Sequence, residues 1–153
     1  MSQLQEDLTF FSDLIIVDVS ENFLPFEPFG ALPALQDLRM ACNNIKFIGD
    51  IIGFDSLMYL DLSYNQFDIS SVSRLEGLTN LRELDLCGNN LGGLPQMTNF
   101  MKLEKILLEY NRIEDGSVFS ALSTVPNLRH VGLANNFLSK IPFDSCATGN
   151  MRF

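Results

Sequence analysis

The side chains able to do covalent or acid–base chemistry are few and scattered. His130 is the sole imidazole, and the thiols are Cys42, Cys87 and Cys146. A nucleophilic thiolate needs a base within hydrogen-bond reach, and a zinc site needs four clustered nitrogen or sulfur ligands. One histidine and three cysteines without a CxxC spacing supply neither, and an odd cysteine count argues against a disulfide framework. The glycines of CGNNLGG, from Cys87, are not followed by the Lys-Ser/Thr pair of a phosphate-binding loop. Carboxylates are the one abundant reactive group, with 19 Asp and Glu against 10 Lys and Arg and a net charge of −9. Asp61, Glu83 and Asp85 on adjacent strands would raise one another's pKa or attract calcium. On an open sheet they read first as a charged surface. The expectation is a non-enzymatic chain with no metal, no cofactor and no small-molecule substrate.

What positions these groups is a repeat. Six segments fit L-x-x-L-x-L-x-x-N-x-L: LIIVDVSENFL from Leu14, LQDLRMACNNI from Leu35, LMYLDLSYNQF from Leu57, LRELDLCGNNL from Leu81, LEKILLEYNRI from Leu103 and LRHVGLANNFL from Leu128. Their starts are 21, 22, 24, 22 and 25 residues apart, inside the 20–29 window of a leucine-rich repeat. All 24 apolar slots hold Leu, Ile, Val, Met or Phe, which a 46% apolar background produces about once in 10⁸ trials. Apolar slots four and six alternate with variable residues, the period of a strand with one buried face. The fold class expected is α/β: a right-handed leucine-rich-repeat solenoid, its curved parallel sheet on the concave side and short helices, 3-10 turns and loops on the convex side. In that frame Cys87 and His130 lie two strand spacings apart, about 10 Å, too far for a thiolate–imidazole pair.

The ninth slot is asparagine in every segment: Asn22, Asn43, Asn65, Asn89, Asn111 and Asn136. An amide where the chain turns out of the strand satisfies carbonyls and N–H groups of neighbouring turns, so this column reads as a structural ladder. The connections DISSVSRLEGLTN and EDGSVFSALSTVPN have helical spacing at Val72, Leu75 and Leu78 after Ser70 and Ser71, and at Val118, Ala121 and Leu122 after Gly116 and Ser117. GLPQMTNFMK and SKIPFDS, with Pro95 and Pro142, read as extended or 3-10 turns. Most of the 13 phenylalanines fall in connections and are expected to fill the coil interior. The division is 1–13 as an N-terminal flank and partial cap, 14–142 as six repeats, and 143–153 as a C-terminal tail. The amphipathic QLQEDLTFF stretch is placed to cover one end, whereas FDSCATGNMRF is a poor cap.

At 153 residues the chain suits one domain with a real core. Its longest apolar run, Leu14 to Val17, is far short of a bilayer-crossing helix, so no membrane role is expected. The acidic balance opposes nucleic acid and favours a basic protein surface. Scattered thiols suit a reducing, intracellular compartment.

SENFLPFEPFGALPALQDLRMACNNI, YLDLSYNQF, ELDLCGNNLGGLP and LLEYNRIEDGSVFSALSTVPNLRHVGLANNFLSKIP together resemble the leucine-rich region of the X-ray radiation resistance-associated protein family. The resemblance runs from about Leu8 to Pro142 and departs from the family in lacking an upstream repeat and the long region after the solenoid. It implies an intracellular protein of cytoplasm and/or nucleus, connected with the response to X-rays and without a defined enzymatic activity.

Variable slots three, five, seven and eight are expected to project from the concave sheet. They carry Tyr59, Tyr64 and Tyr110, all the tyrosines of the chain, and seven acids, Asp18, Glu21, Asp37, Asp61, Glu83, Asp85 and Glu109, against Arg39 and Lys105. Tyrosine joins a rigid apolar body to a polar tip and is enriched at interface hot spots. Tyr64 and Tyr110 are expected to flank a trough about 10 Å wide, since the repeat between them contributes only Cys87 and Gly88. The partner expected there is a protein presenting a basic or amphipathic segment. Two other roles fit the same fold: a scaffold element of a large ciliary or microtubule-associated assembly, and a regulatory subunit docking on an enzyme such as a phosphatase.

Overall fold

A computed structural model describes residues 8–141. Residues 1–7 of the flank, the Pro142 turn and the 143–153 tail with Cys146 lie outside the described residues. Six three-residue strands, β1 (Ile16–Asp18), β2 (Asp37–Arg39), β3 (Tyr59–Asp61), β4 (Glu83–Asp85), β5 (Lys105–Leu107) and β6 (His130–Gly132), form one sheet in chain order. Every neighbour pair is parallel. The register aligns slot three with slot three and slot five with slot five, as in Tyr59 beside Glu83 and Asp61 beside Asp85. Parallel strands need a crossover between them, and here each crossover is the convex half of one coil.

The apolar slots point inward because strand side chains alternate. In coils two to five, all of them are at most 8% exposed, from Ile45 at 8% to Leu38, Leu62, Leu86 and Leu108 at 0%. Phe26, Phe29, Phe54, Phe100 and Phe119 fill the space behind them, and Phe26 stacks on Phe54 with ring centroids 4.5 Å apart. Phe10, Phe11, Phe23, Phe47 and Phe137 do not: all five are exposed. Of the expected N-terminal cap, Leu8 packs on the edge of the core while Phe10 and Phe11 face solvent.

The two long connections carry helices, α1 (Ile69–Arg74) and α2 (Ser117–Ser123). The first starts before the expected serines, because the Asp68 carboxylate caps it and accepts the Ser71 N–H at 3.0 Å. Hydrogen bonds from the Ser70 hydroxyl, then from the Ser71 amide and hydroxyl, hold the Asp68 carboxyl below its usual pKa. α2 buries Phe119 and Leu122 against the strand layer. One-turn 3-10 helices occupy Glu27–Ala31 and Leu75–Gly77, whereas the Pro95 connection is extended with turns, its Met97 and Phe100 buried.

Candidate functional site

The asparagine column is what holds the concave face in register. Asn89 shows the pattern: its amide donates to the Leu86 and Cys87 carbonyls of its own turn at 3.0 and 3.2 Å and to Leu62 of the preceding coil at 3.1 Å. Its oxygen accepts the Phe67 N–H at 3.0 Å. Asn43, Asn65 and Asn111 do the same and, like Asn89, are buried. Asn136 is half-buried and bonds Leu108 O and Ile113 N of coil five. Asn22, in the first coil, is exposed and donates only to Val19 and Ser20 of its own turn.

Slot five has a second task. Asp18, Asp61 and Asp85 each accept the N–H two residues on, from Ser20, Ser63 and Cys87, at 2.8–3.0 Å. These aspartates close the strand-to-turn bend as Asx turns, and each commits one carboxylate oxygen to it. The bond from Ser20 holds Asp18 below the usual carboxylate range. Burial pushes Asp85 up, an effect that the Cys87 N–H opposes and the charges of Asp61 and Glu109 reinforce.

Slot eight departs from the flat face expected of it. Glu21, Cys42, Tyr64, Gly88, Tyr110 and Asn135 all have φ between 53° and 63°. The chain leaves the strand through the left-handed region at this slot, which costs an L-residue about 1–2 kcal/mol. Backbone bonds impose the geometry: Tyr64 N–H donates to Cys87 O at 2.7 Å and Tyr110 N–H to Ala134 O at 3.1 Å. So turned, the Tyr64 ring leans over Gly88, in the space a Cβ there would occupy. The trough expected between Tyr64 and Tyr110 is therefore filled by Tyr64 itself. Glu109 is likewise folded down: its carboxylate lies over Gly132, where a Cβ would overlap it, and accepts a 3.0 Å hydrogen bond from the Cys87 thiol. Burial first, and then that carboxylate, push the Cys87 thiol far above its ordinary pKa.

The open hollow lies on the strands instead, lined by Tyr59, Asp61, Glu83, Asp85 and Leu107, with Asp37, Arg39 and Lys105 at its ends. Both bases of the face already have acids: Arg39 bonds Asp37 at 2.8 Å and Lys105 approaches Glu83 at 3.3 Å. Exposed pairs of this kind are worth at most about 1 kcal/mol, but they leave Asp18, Glu21, Asp61, Asp85 and Glu109 without a basic side chain beside them in any salt bridge among the described residues. Tyr59, Tyr64 and Tyr110 are 39%, 55% and 57% exposed. The sequence signal for the Asx turns and for the Cys87–Glu109 contact was slot periodicity, which pairs Asp with the residue two on and slot seven with slot seven. His130, on β6, is separated from the β4 coil of Cys87 by β5. Among the described residues no three His, Cys, Asp or Glu are grouped to hold a metal ion, and no helix is long and apolar enough to cross a membrane.

Comparison with known proteins adds the following. The leucine-rich repeat family pattern matches residues 56–78 and 80–99. X-ray radiation resistance-associated protein 1 of Mus musculus is 31% identical over 91% of this chain, and lumican of Rattus norvegicus is 30% identical over 76% of it. The chain spans 20% of the first and 42% of the second. Among solved structures, a leucine-rich-repeat protein of Leptospira interrogans superposes with a TM-score of 0.78 at 26% identity, over 93% of this chain and 36% of its own.

Proposed function

This chain is a leucine-rich-repeat protein, and we propose that its concave face holds a basic or amphipathic segment of a protein partner. A leucine-rich solenoid is itself a protein-interaction fold, and its curved sheet is the surface such solenoids commonly use. The observation that carries the finer reading is charge: seven acids face two bases there, and both bases are already paired. A cationic side chain entering the hollow meets the second oxygens of Asp61 and Asp85, neighbours in register, and finds Tyr59 beside them. Arg and Lys gain from both carboxylates and aromatic faces. The contacting residues are Asp37, Tyr59, Asp61, Tyr64, Glu83, Asp85, Glu109 and Tyr110. Replacing Tyr64 and Tyr110 with Ala tests the surface: partner recovery from lysate falls while the fold persists, and unchanged recovery rejects this face as the interface.

We further propose that the interaction takes place inside the cell, in cytoplasm or nucleus, and within the response to X-rays named for the X-ray radiation resistance-associated protein that this chain resembles. Survival of irradiated cells lacking the chain, rescued by the native sequence but not by the double tyrosine variant, is the corresponding expectation.

A further inference from the structure

The lateral edge of coils two and three, where the chain runs on past the asparagine turn, is apolar at positions that face solvent. Counting on from the eleventh slot, slots twelve and thirteen hold Lys46 and Phe47 in coil two, Asp68 and Ile69 in coil three, Gly92 and Gly93 in coil four, and Glu114 and Asp115 in coil five. Phe47 is 75% exposed and Ile69 42%. The two coils are tied together at this level. The Gln66 N–H donates to Ile45 O at 2.8 Å, the Gln66 side-chain amide donates to the Asn44 side chain, and the Ser71 hydroxyl donates to Lys46 O at 2.9 Å. Phe47 and Ile69 therefore stand in equivalent places on neighbouring coils and form one ridge. Beyond Ile69 the edge drops away: its Cδ1 lies 3.7 Å from where a Gly93 Cβ would be, and a Cβ on Gly92 would meet nothing within 4 Å.

Charge on this edge is arranged in the same two coils. Lys46 and Asp68 flank the ridge in slot twelve, both exposed. Neither enters a salt bridge among the described residues. The bonds that Asp68 accepts from Ser70 and Ser71 all end on Oδ1, so Oδ2 remains for a cation. Slot twelve thus carries opposite charges on neighbouring coils, and slot thirteen carries an apolar group on both. Such a surface is complementary to itself under a half-turn that exchanges the two coils.

We propose that a second copy of this chain docks edge to edge, about a two-fold axis that passes between coils two and three. The half-turn sets Phe47 of each copy against Ile69 of the other, and Lys46 of each against Asp68 of the other. It also brings exposed Pro25, in slot twelve of coil one, opposite Gly92 of coil four, where open space admits its ring. Apolar groups meet at the centre with charges beside them, the usual anatomy of a protein interface. Each contact occurs twice and the interface closes on itself, so association stops at the dimer. The edge lies apart from the concave strands, so this contact does not depend on the partner site proposed above.

Sedimentation velocity of the 153-residue chain over a concentration series, with Phe47→Ser, Lys46→Glu and Lys102→Glu, decides the matter. All three side chains are exposed, so the variants keep the fold, which circular dichroism verifies. The native chain passes from monomer to dimer as concentration rises and goes no further. Phe47→Ser removes a ring from both halves of the interface and weakens dimerisation by about a hundredfold or more. Lys46→Glu turns two attractive pairs into two repulsive ones and weakens it by about tenfold relative to Lys102→Glu, which makes the same change in net charge on coil five. Adding Asp68→Asn to Lys46→Glu removes the repulsion while keeping a helix-capping side chain, and association recovers toward the native level. A native chain that stays monomeric into the millimolar range overturns the proposal, as does one that grows beyond the dimer. Phe47→Ser associating like the native chain, or Lys46→Glu associating no more weakly than Lys102→Glu, overturns it equally.

Discussion

Replacing Asn89 with alanine removes four hydrogen bonds, but their loss is not evenly felt. The Leu62, Leu86 and Cys87 carbonyls each keep another donor, from Asn65, Asn111 and the Tyr64 N–H. The Phe67 N–H has only the Asn89 oxygen, and the site is 5% exposed, so this donor is left buried and unpaired. An orphaned buried donor costs about 1–3 kcal/mol and a lost buried bond about 1 kcal/mol more, for a total of about 3 kcal/mol. At about 2–4 °C per kcal/mol for a domain of this size, Tm falls by about 6–12 °C. Asn22→Ala is the matched control, since that side chain bonds only its own exposed turn, and a surface change of this kind stays within about 0.5 kcal/mol. Asn89→Asp keeps an acceptor for Phe67 but turns a carboxylate oxygen toward three carbonyls. Its folded pKa is raised, so its destabilisation is smallest below the ordinary carboxylate range and grows as pH rises. Urea unfolding of the three variants gives the answer. Equal losses for Asn22→Ala and Asn89→Ala, or an Asn89→Asp penalty independent of pH, refute the view that the ladder is an inter-coil device.

Tyr64→Gly with Tyr110→Gly relieves left-handed backbone strain of about 1 kcal/mol per site, roughly cancelled by the entropy glycine adds to the unfolded chain; urea unfolding detects a change within about 1 kcal/mol per site, and a larger loss shows that the rings are structural. Asp85→Asn keeps an acceptor for the Cys87 N–H and removes a carboxylate whose pKa is raised chiefly by burial. The variant is therefore more stable at neutral pH, and its advantage shrinks as pH falls through the raised folded pKa toward the usual value near 3.8. A stability difference unchanged by pH contradicts that cause. Peptide-resolved alkylation with iodoacetamide modifies exposed Cys42 well before Cys87, whose thiol is held protonated by burial and by Glu109. Glu109→Gln speeds Cys87 and leaves Cys42 alone, and equal native rates at the two thiols count against the contact.

The register of the sheet was readable in the sequence because a solenoid is close to a translation: one set of slots, placed once, places all six coils. That is why slots three and five meet their equivalents and why the asparagines fall in a column. What translation hides is the direction a side chain takes where the backbone leaves the strand. Slot eight looked like one more concave column, yet its left-handed backbone turns Tyr64 across Gly88 and fills the trough that two parallel rings would have flanked. Composition likewise counted seven acids on the face without showing that three spend an oxygen on Asx turns, or that Glu109 is held by Cys87. The helix start at Asp68 shows a local competition: a carboxylate two residues ahead of two serines takes the cap.

The central claim, that a basic protein segment lies on the concave face, is tested most directly by zero-length carbodiimide crosslinking in cells followed by mass spectrometry, because that reagent joins carboxylates to amines in contact. The account predicts partner lysines coupled to Asp61, Glu83 or Glu109. Partner crosslinks confined to convex carboxylates such as Asp50, Asp55 and Glu114 would contradict it.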